Sequence, residues 1–488
     1  MRWEGRNVLR VKKSSGSVTN SLDTAFSLVK VLEEGVRSMN FTQNTILAIF
    51  LLGGALTAPA QNSQLTLRQA IDVALHRNPE QQAAQADVAA ATATWRLSRA
   101  ELFPKLSFTE DISRGNDPVY AFGTKLRQRQ FSQADFELNA LNRPGPIGNF
   151  AARLSGQWQV FDSLHTQRTI RSAQQMRRSA ASDAEAVDQK TIFAVVEAWE
   201  SVLYAQRQVE VTRHEQETAA TLLASAEDRV KAGLAVESDR MAAFANVAAR
   251  KQEMIVAEGE LDLAWAQLRM AVGDENLPQS ELRSIEERAL EAPSIDEELA
   301  TALKKRPDLQ AVERAQAAQR AATGAARSAF GPRVSAYGNW EEDRGSLSTA
   351  GGHNWLAGAQ VTMDILPMGK RAAVDRECAA QRKVDAQKSS LQQTLRMQIT
   401  QAHTHLRVAS QSMEAAHAAL DLALEGLRIV KNRYDAGLTN ITDLLRAEDT
   451  ERQSQANYWR AVYHNAVAYA ENLFATGTLT PEATEALQ

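Results

Sequence analysis

Eight histidines and a single cysteine are the side chains best suited to covalent or metal chemistry in this 488-residue chain, and their spacing does not assemble it. His403 and His405 lie two apart in a helical pattern, where they diverge and make a poor metal pair. No glycine-rich phosphate loop follows a strand, and neither G-x-S-x-G nor H-E-x-x-H occurs. Cys378 excludes an intramolecular disulfide and a cysteine-rich zinc site, and in "VDRECAAQR" it reads as a small residue at a helix interface. The expectation is a chain that is not an enzyme and carries no cofactor, catalytic residue or metal. Two short stretches hold the polar side chains that matter: "DRVKAGLAVESDRMAA" from Asp228 and "NRYDAGLTNITDLLRA" from Asn432. They share one skeleton at an offset of 204, pairing Arg229 with Arg433, Gly233 with Gly437, Leu234 with Leu438 and Asp239 with Asp443. Their chemistry is that of turns, caps and charge.

The elements that position these stretches are duplicated too. "ALHRNPEQQ", from Ala74, aligns without a gap on "ALKKRPDLQ", from Ala302, through Phe108 and Ala336, at an offset of 228. Asn149 to Phe161 then matches Asn354 to Leu366 at 205, because the connection from Gly115 to Asn149 is 34 residues and its counterpart, Gly345 to Asn354, is 9. Each unit reads helix, strand, loop, strand, very long helix, turn, helix. From His165 to Lys231 there is neither Gly nor Pro, and from Lys370 to Ala436 only Gly426 interrupts. Both runs stop at Ala-Gly-Leu, where glycine supplies the positive φ that closes a helix. Ser238-Asp239 and Thr442-Asp443 offer cap-type oxygens to return helices that run to about Val272 and Thr476.

The strands alternate with period two. Leu106 and Phe108 oppose Lys105, Ser107 and Thr109; Leu154, Gly156, Trp158 and Val160 oppose Arg153, Ser155, Gln157 and Gln159. In the second unit Val334, Ala336, Gly338 and Trp340, then Ala359, Val361, Met363 and Ile365, repeat the pattern. Such segments, with Trp158, Trp340 and Trp355 near their ends, fit either a transmembrane β-barrel with an aromatic girdle or an antiparallel sheet lying on the helices. Four strands cannot close a barrel, so a membrane-spanning chain must oligomerise. If the strands form a barrel, the 34-residue connection reads as an extracellular loop.

The apolar run "ILAIFLLGGALTAPAQ" is too short to span a bilayer and ends in Ala58-Pro59-Ala60, so residues 39–60 read as a secretory signal peptide. Residues 1–38, with seven Lys/Arg and four Asp/Glu, read as an over-called start or leader. The remainder divides into a first repeat (61–273), a linker (274–293), a second repeat (294–477) and a C-terminal tail (478–488). A formal charge of -4 gives no footprint for nucleic acid.

Together these residues resemble the TolC-like outer membrane efflux protein family. The resemblance rests on the "RNPE" and "RPDL" helix starts, the "LFPKLS" and "FGPRVS" helix-to-strand junctions, the "WQVFDS" exit and the paired "AGL" turns. It implies a mainly α fold with membrane β: two tandem repeats whose long helical hairpins form an α-barrel, and a trimeric transmembrane β-barrel shared at four strands per chain. It further implies an outer-membrane location with the helical tunnel in the periplasm, and an efflux or type I secretion role. The partners it implies are two further copies, a periplasmic adaptor (membrane fusion protein), an inner-membrane pump and outer-membrane lipid. Asp239 and Tyr434 match a tyrosine-aspartate latch and Asp443 an acidic ring of the periplasmic gate. The second acidic position is Arg446 here, and the family's reinforcing arginine is Thr439. Gly233, Leu234, Gly437 and Leu438 fall at the tips an adaptor would contact. The competing expectation is a soluble periplasmic coiled-coil or adaptor-type structural protein.

Overall fold

The computed structural model describes residues 65–280, 282 and 293–484. The leader and signal peptide assigned to residues 1–60 lie outside the described residues.

The first repeat runs α1 (Leu67–Arg77), α2 (Pro79–Ala100), β1 (Lys105–Gly115), α3 (Pro118–Arg127), α4 (Leu138–Asn142), β2 (Ile147–Phe161), α5 (His165–Lys231) and α6 (Glu237–Val272). The second runs α7 (Ile295–Lys305), α8 (Pro307–Ser328), β3 (Arg333–Arg344), β4 (Gly352–Thr362), α9 (Met368–Asp435) and α10 (Ile441–Thr476). The uninterrupted runs of the sequence became α5 and α9, of 67 and 68 residues. Each is about 100 Å long at 1.5 Å per residue. Among the described residues no helix is long and apolar enough to cross a membrane.

The opening helix of each repeat is broken where the sequence places proline. Pro79 and Pro307 take the first turn of α2 and α8, where the missing N–H costs nothing. The junction residues then tie each repeat to its own end. Asn78 caps α2 through the Glu80 amide at 2.8 Å and donates to the Ala271 carbonyl at 2.9 Å. Arg306 donates to the Ala475 carbonyl at 3.3 Å, the equivalent position in the second repeat. Two residues further on, Gly273 and Gly477 end α6 and α10 at φ +73° and +70°, pressed against the same junctions.

The main core gathers Leu67, Ile71, Trp199, Trp265 and Leu268 with Ala470 of the last helix. Residues 478–484 are no loose tail: Leu479 and Thr484 are buried, and Arg68 pairs with Glu482 at 3.3 Å. The described part of the linker is also packed, with Leu277 and Leu282 in the core and Asp274 on Arg77 at 2.6 Å. Glu200 is buried beside this core with Oε1 unbonded, and burial pushes its carboxyl up to about 8. The folded state therefore holds a proton that the unfolded chain has released, and stability falls as pH rises from the ordinary glutamate range through about 8. Glu200→Gln should gain about 1–3 kcal/mol at pH 8 and almost nothing at pH 4, read from denaturation followed by circular dichroism at both pH values.

The four strands form one antiparallel sheet in the order β1-β2-β3-β4, with β1 and β4 at its edges. Its register tests the alternation seen in the sequence. Phe108 lies opposite Leu154, Leu154 opposite Trp340, and Trp340 opposite Trp355; Leu106, Gly156, Gly338 and Ala357 form the next row, and Trp158, Ala336 and Ala359 the one after. All of these share one face. The other carries Ser107, Thr109, Arg153, Ser155, Gln157, Ser335, Asn339, Glu341 and Gln360. A bulge between Gln159 and Phe161 moves Phe161, rather than Val160, opposite Val334. The strands run from the helix-bearing end, at Lys105 and Phe161, to a distal end that carries the connections.

The long first connection is not an open loop. It folds into α3, a 3-10 turn (Gln133–Phe136) and α4. Asp117 caps α3 through the Tyr120 amide. Lys125 holds Asp135 at 2.6 Å, and that contact, with the Ser132 amide and hydroxyl, brings the Asp135 carboxyl down to about 2.

Candidate functional site: the paired hairpin tips

At the ends of α5 and α9 the chain reverses in the same way twice. Gly233 and Gly437 adopt φ +70° and +72°, and the amides of Leu234 and Leu438 reach back to the carbonyls of Arg229 and Arg433, each at 2.8 Å. This is the glycine-closed helix end expected from Ala-Gly-Leu. Leu234 and Leu438 stand exposed on the apex.

The capping expectation is corrected. Ser238, Asp239, Thr442 and Asp443 lie within the first turns of α6 and α10, not ahead of them. The N-cap of α6 is Val236, with no side-chain bond; that of α10 is Asn440, whose side chain accepts from the Asp443 amide at 2.9 Å. Thr439 donates to the Asp443 carboxylate at 2.7 Å, so it serves its own turn. A position three residues inside a helix favours a carboxylate through the helix dipole, which is why acids suit both sites without being caps.

The two hairpins meet just above their tips around Leu222, Ala226, Ala243, Tyr434, Ile441 and Leu444, all buried. Tyr434 is therefore a core residue of the junction between the hairpins. Arg229 of the first hairpin lies over the Tyr434 ring, 4.4 Å from its centroid, and donates to the Tyr434 carbonyl at 3.2 Å. It also approaches Asp435 at 3.8 Å. Burial first, and then the carboxylates of Asp239 and Asp435, push the Tyr434 hydroxyl up while Arg229 pulls against them. The phenol lies within the field of Asp239. Among the described residues no hydrogen bond joins that hydroxyl to Asp239, and Arg446, exposed on α10, makes no ion pair.

Two features escaped the sequence. Arg229 of the first hairpin packs on Tyr434 of the second, and its only signal was the match to Arg433. About four turns above the tips, Arg250 ties the hairpins together, reaching Asp449 of the second at 3.0 Å while Glu253 of its own helix holds it at 2.7 Å. Glu215 faces the same cluster, and burial pushes it up to about 7 despite Arg250 and Arg452.

At the other end of the molecule, Trp158 donates its indole N–H to the Leu102 carbonyl at 2.9 Å, near the helix-bearing ends of the strands. Trp340 and Trp355 pair toward the distal end, with Trp340 stacked on His353. The next row outward on that face holds Glu110, Glu342 and His353, so the tryptophans mark where the apolar band stops. From Val334 to Trp340 the band covers about 20 Å of strand, and exposed Phe103, Ile365 and Leu366 extend it below.

Comparison with known proteins fits this arrangement. The family model described as "Outer membrane efflux protein" matches residues 70–274 and 299–477, the two repeats in turn. The chain is 26% identical to outer membrane protein OprJ of Pseudomonas aeruginosa over 402 residues, covering 80% of this chain and 79% of that protein. It is 21% identical to the alkaline protease secretion protein AprF of the same species, covering 85% of each. In fold it matches the CmeC outer membrane channel of Campylobacter jejuni with a TM-score of 0.70 at 17% identity, over 98% of this chain and 97% of that one. A soluble adaptor would need small barrel domains of its own, and the described residues hold a single four-stranded sheet. Two repeats, each adding two amphipathic strands to one sheet and one long hairpin below it, place this chain in the outer membrane, and it belongs to the outer membrane efflux protein family.

Proposed function

We propose that three copies of this chain form the outer-membrane duct of a tripartite efflux or type I secretion system. The observation that carries this reading is the sheet: one apolar face, one polar face and two unpaired edges, on four strands. Open edges cannot face lipid, and barrels start at about eight strands. Because the strands alternate in direction, β4 of one copy meets β1 of the next antiparallel, and three copies close twelve strands with the polar face inward. Trp158, Trp340 and Trp355 then stand at the margins of the lipid band. Below, six hairpins line a tunnel whose tips, with Gly233, Leu234, Gly437 and Leu438 at the apex, meet the periplasmic adaptor that joins the duct to an inner-membrane pump. Purification tests the assembly: detergent extracts should give a trimer by light scattering, and release as a monomer into aqueous buffer would defeat it.

The tip residues form the closed gate in this reading. Arg229 clamps Tyr434 between the hairpins, Asp239 stands by its hydroxyl, and Asp443 sets the field at the constriction with Arg446 offsetting it. Arg229→Ala should raise the basal conductance of the trimer in a planar bilayer severalfold, and more than Tyr434→Phe, because it removes a cation–π contact and a hydrogen bond together. Asp239→Ala should shift conductance in the same direction. Asp443→Ala should instead weaken block by divalent cations. Wild-type conductance in the Arg229, Tyr434 and Asp239 variants would leave these residues a purely structural role.

A further inference from the structure

The insertion that distinguishes the first repeat is docked on the polar face of the sheet, across its distal end. Tyr120 of α3 contacts Ser113 of β1 at 2.9 Å. Gln128 donates to the Gly148 carbonyl at 2.8 Å and to Asn149 of β2 at 2.9 Å. Asn149 donates to Asp343 of β3 at 2.7 Å, and Arg127 approaches Glu341 at 3.6 Å. Arg129 donates to the His353 carbonyl of β4 at 3.0 Å. The helix thus touches all four strands, and beneath it Asn149, Ala151, Glu341 and Asp343 are buried although they belong to the polar face. The sheet is shaped to admit it. A Cβ at Gly352 would overlap the Arg127 carbonyl, and one at Gly115 would meet the Tyr120 ring at 3.3 Å. A mobile surface loop needs no such network.

The side of the insertion turned away from the sheet is apolar. Val119 is 82% exposed, Leu126 50% and Leu138 77%, and the edge-on ring series Phe122, Phe131 and Phe136, with centroids 4.6 and 5.1 Å apart, stiffens the platform behind them. An apolar stripe held over a polar surface calls for a partner, and the sheet says which one. Twelve strands about 4.8 Å apart, tilted by roughly 40°, enclose a ring about 24 Å across. Three helices of about 10 Å diameter, grouped about an axis, need a circle of about 22 Å, so inside that backbone-to-backbone width they cannot stay apart.

We infer that α3 folds into the mouth of the barrel, where the three copies meet through Val119 and Leu126 and form an outer constriction that sets the size of what can pass. This rests on the polar face being the lumen. The duct then has two narrow points, at the hairpin tips and at the external mouth, and the second is built by an insertion that the other repeat lacks.

The test reads the outer mouth alone, on intact cells. Gln157, on the polar face and inward of α3, is replaced by cysteine in a Cys378→Ala background and labelled from outside with a small maleimide or a 5-kDa polyethylene-glycol maleimide. Replacing residues 118–143 by a short turn should raise labelling by the large reagent at least tenfold. Gln128→Ala with Arg129→Ala, which cuts the insertion's side-chain ties to β2 and β4 and keeps the chain length, should raise it in the same direction. In separate variants, Val119→Cys or Leu126→Cys with a short bis-maleimide should link copies on a denaturing gel. Equal labelling by the large reagent with and without the insertion, in trimers that remain intact, overturns the constriction while leaving the duct. Absence of labelling by the small reagent even in the shortened chain overturns both. Failure of both Val119→Cys and Leu126→Cys to link intact trimers removes the contact among the three copies.

Discussion

Alanine at Gly477 should destabilise the helical part of the protein by about 2–5 kcal/mol, and alanine at Gly273 by a similar amount. Both positions sit in the left-handed region, where a side chain costs about 1–2 kcal/mol. Both are also closed in by backbone. A Cβ at Gly477 would lie 2.9 Å from the Arg306 nitrogen and 3.0 Å from its Cα, and one at Gly273 would lie 2.8 Å from the Asn78 Cα. Backbone held by its own hydrogen bonds cannot move aside cheaply, and overpacking of this kind adds about 1–3 kcal/mol. Gly233 and Gly437 form the control. Their φ values are the same, but nothing lies within 4 Å of the added atom, so alanine there should cost only the strain. Denaturation followed by circular dichroism at the four positions separates the two contributions. Equal losses at all four would mean that the junctions yield.

Leu154→Arg should cost about 2–4 kcal/mol in barrel stability, against a near-neutral Ser155→Arg one residue away. Leu154 lies in the row formed by Phe108, Trp340 and Trp355, within the apolar band and short of the charged row beyond. In a closed barrel its side chain meets hydrocarbon, whereas Ser155 meets water. The heat resistance of the proposed trimer on a gel reports the difference. Equal tolerance at the two positions would mean a sheet solvated on both faces.

Much of this architecture could be read from the chain because its signals are local. The breaks at Ala-Gly-Leu, the proline-led helix starts and the period of two along Leu154, Gly156 and Trp158 each arise within a few residues, and each recurs in the second repeat. What escaped depends on contacts across the chain. Gly273 and Gly477 look like ordinary helix ends until Asn78 and Arg306 are set against them. Arg229 looks like a surface cation of a long helix until the second hairpin brings Tyr434 beneath it, 205 residues away. The insertion from Gly115 to Asn149 has polar and glycine-rich ends that read as loop, and its contacts with Ser113, Asn149, Glu341 and His353, far apart in the chain, show that it is docked. The caps lie two to three residues ahead of Ser238–Asp239 and Thr442–Asp443, because Ser, Thr and Asp suit the first turn of a helix as well as its cap.

One difference between the tips sets an order of yielding. The return helix of the second hairpin starts on Asn440, with Thr439 and Asp443 bonded across the turn; that of the first starts on Val236, with its leading amides unserved by any side chain. A cap of this kind holds a helix start by about 1 kcal/mol, roughly a fivefold change in how often the turn frays. Amide hydrogen exchange should accordingly run about fivefold faster around residues 236–240 than around 440–444. In the proposed trimer, soft and stiff corners would then alternate around the ring, and a six-cornered outline would flex with threefold rhythm, loosening first at the corners that carry Asp239.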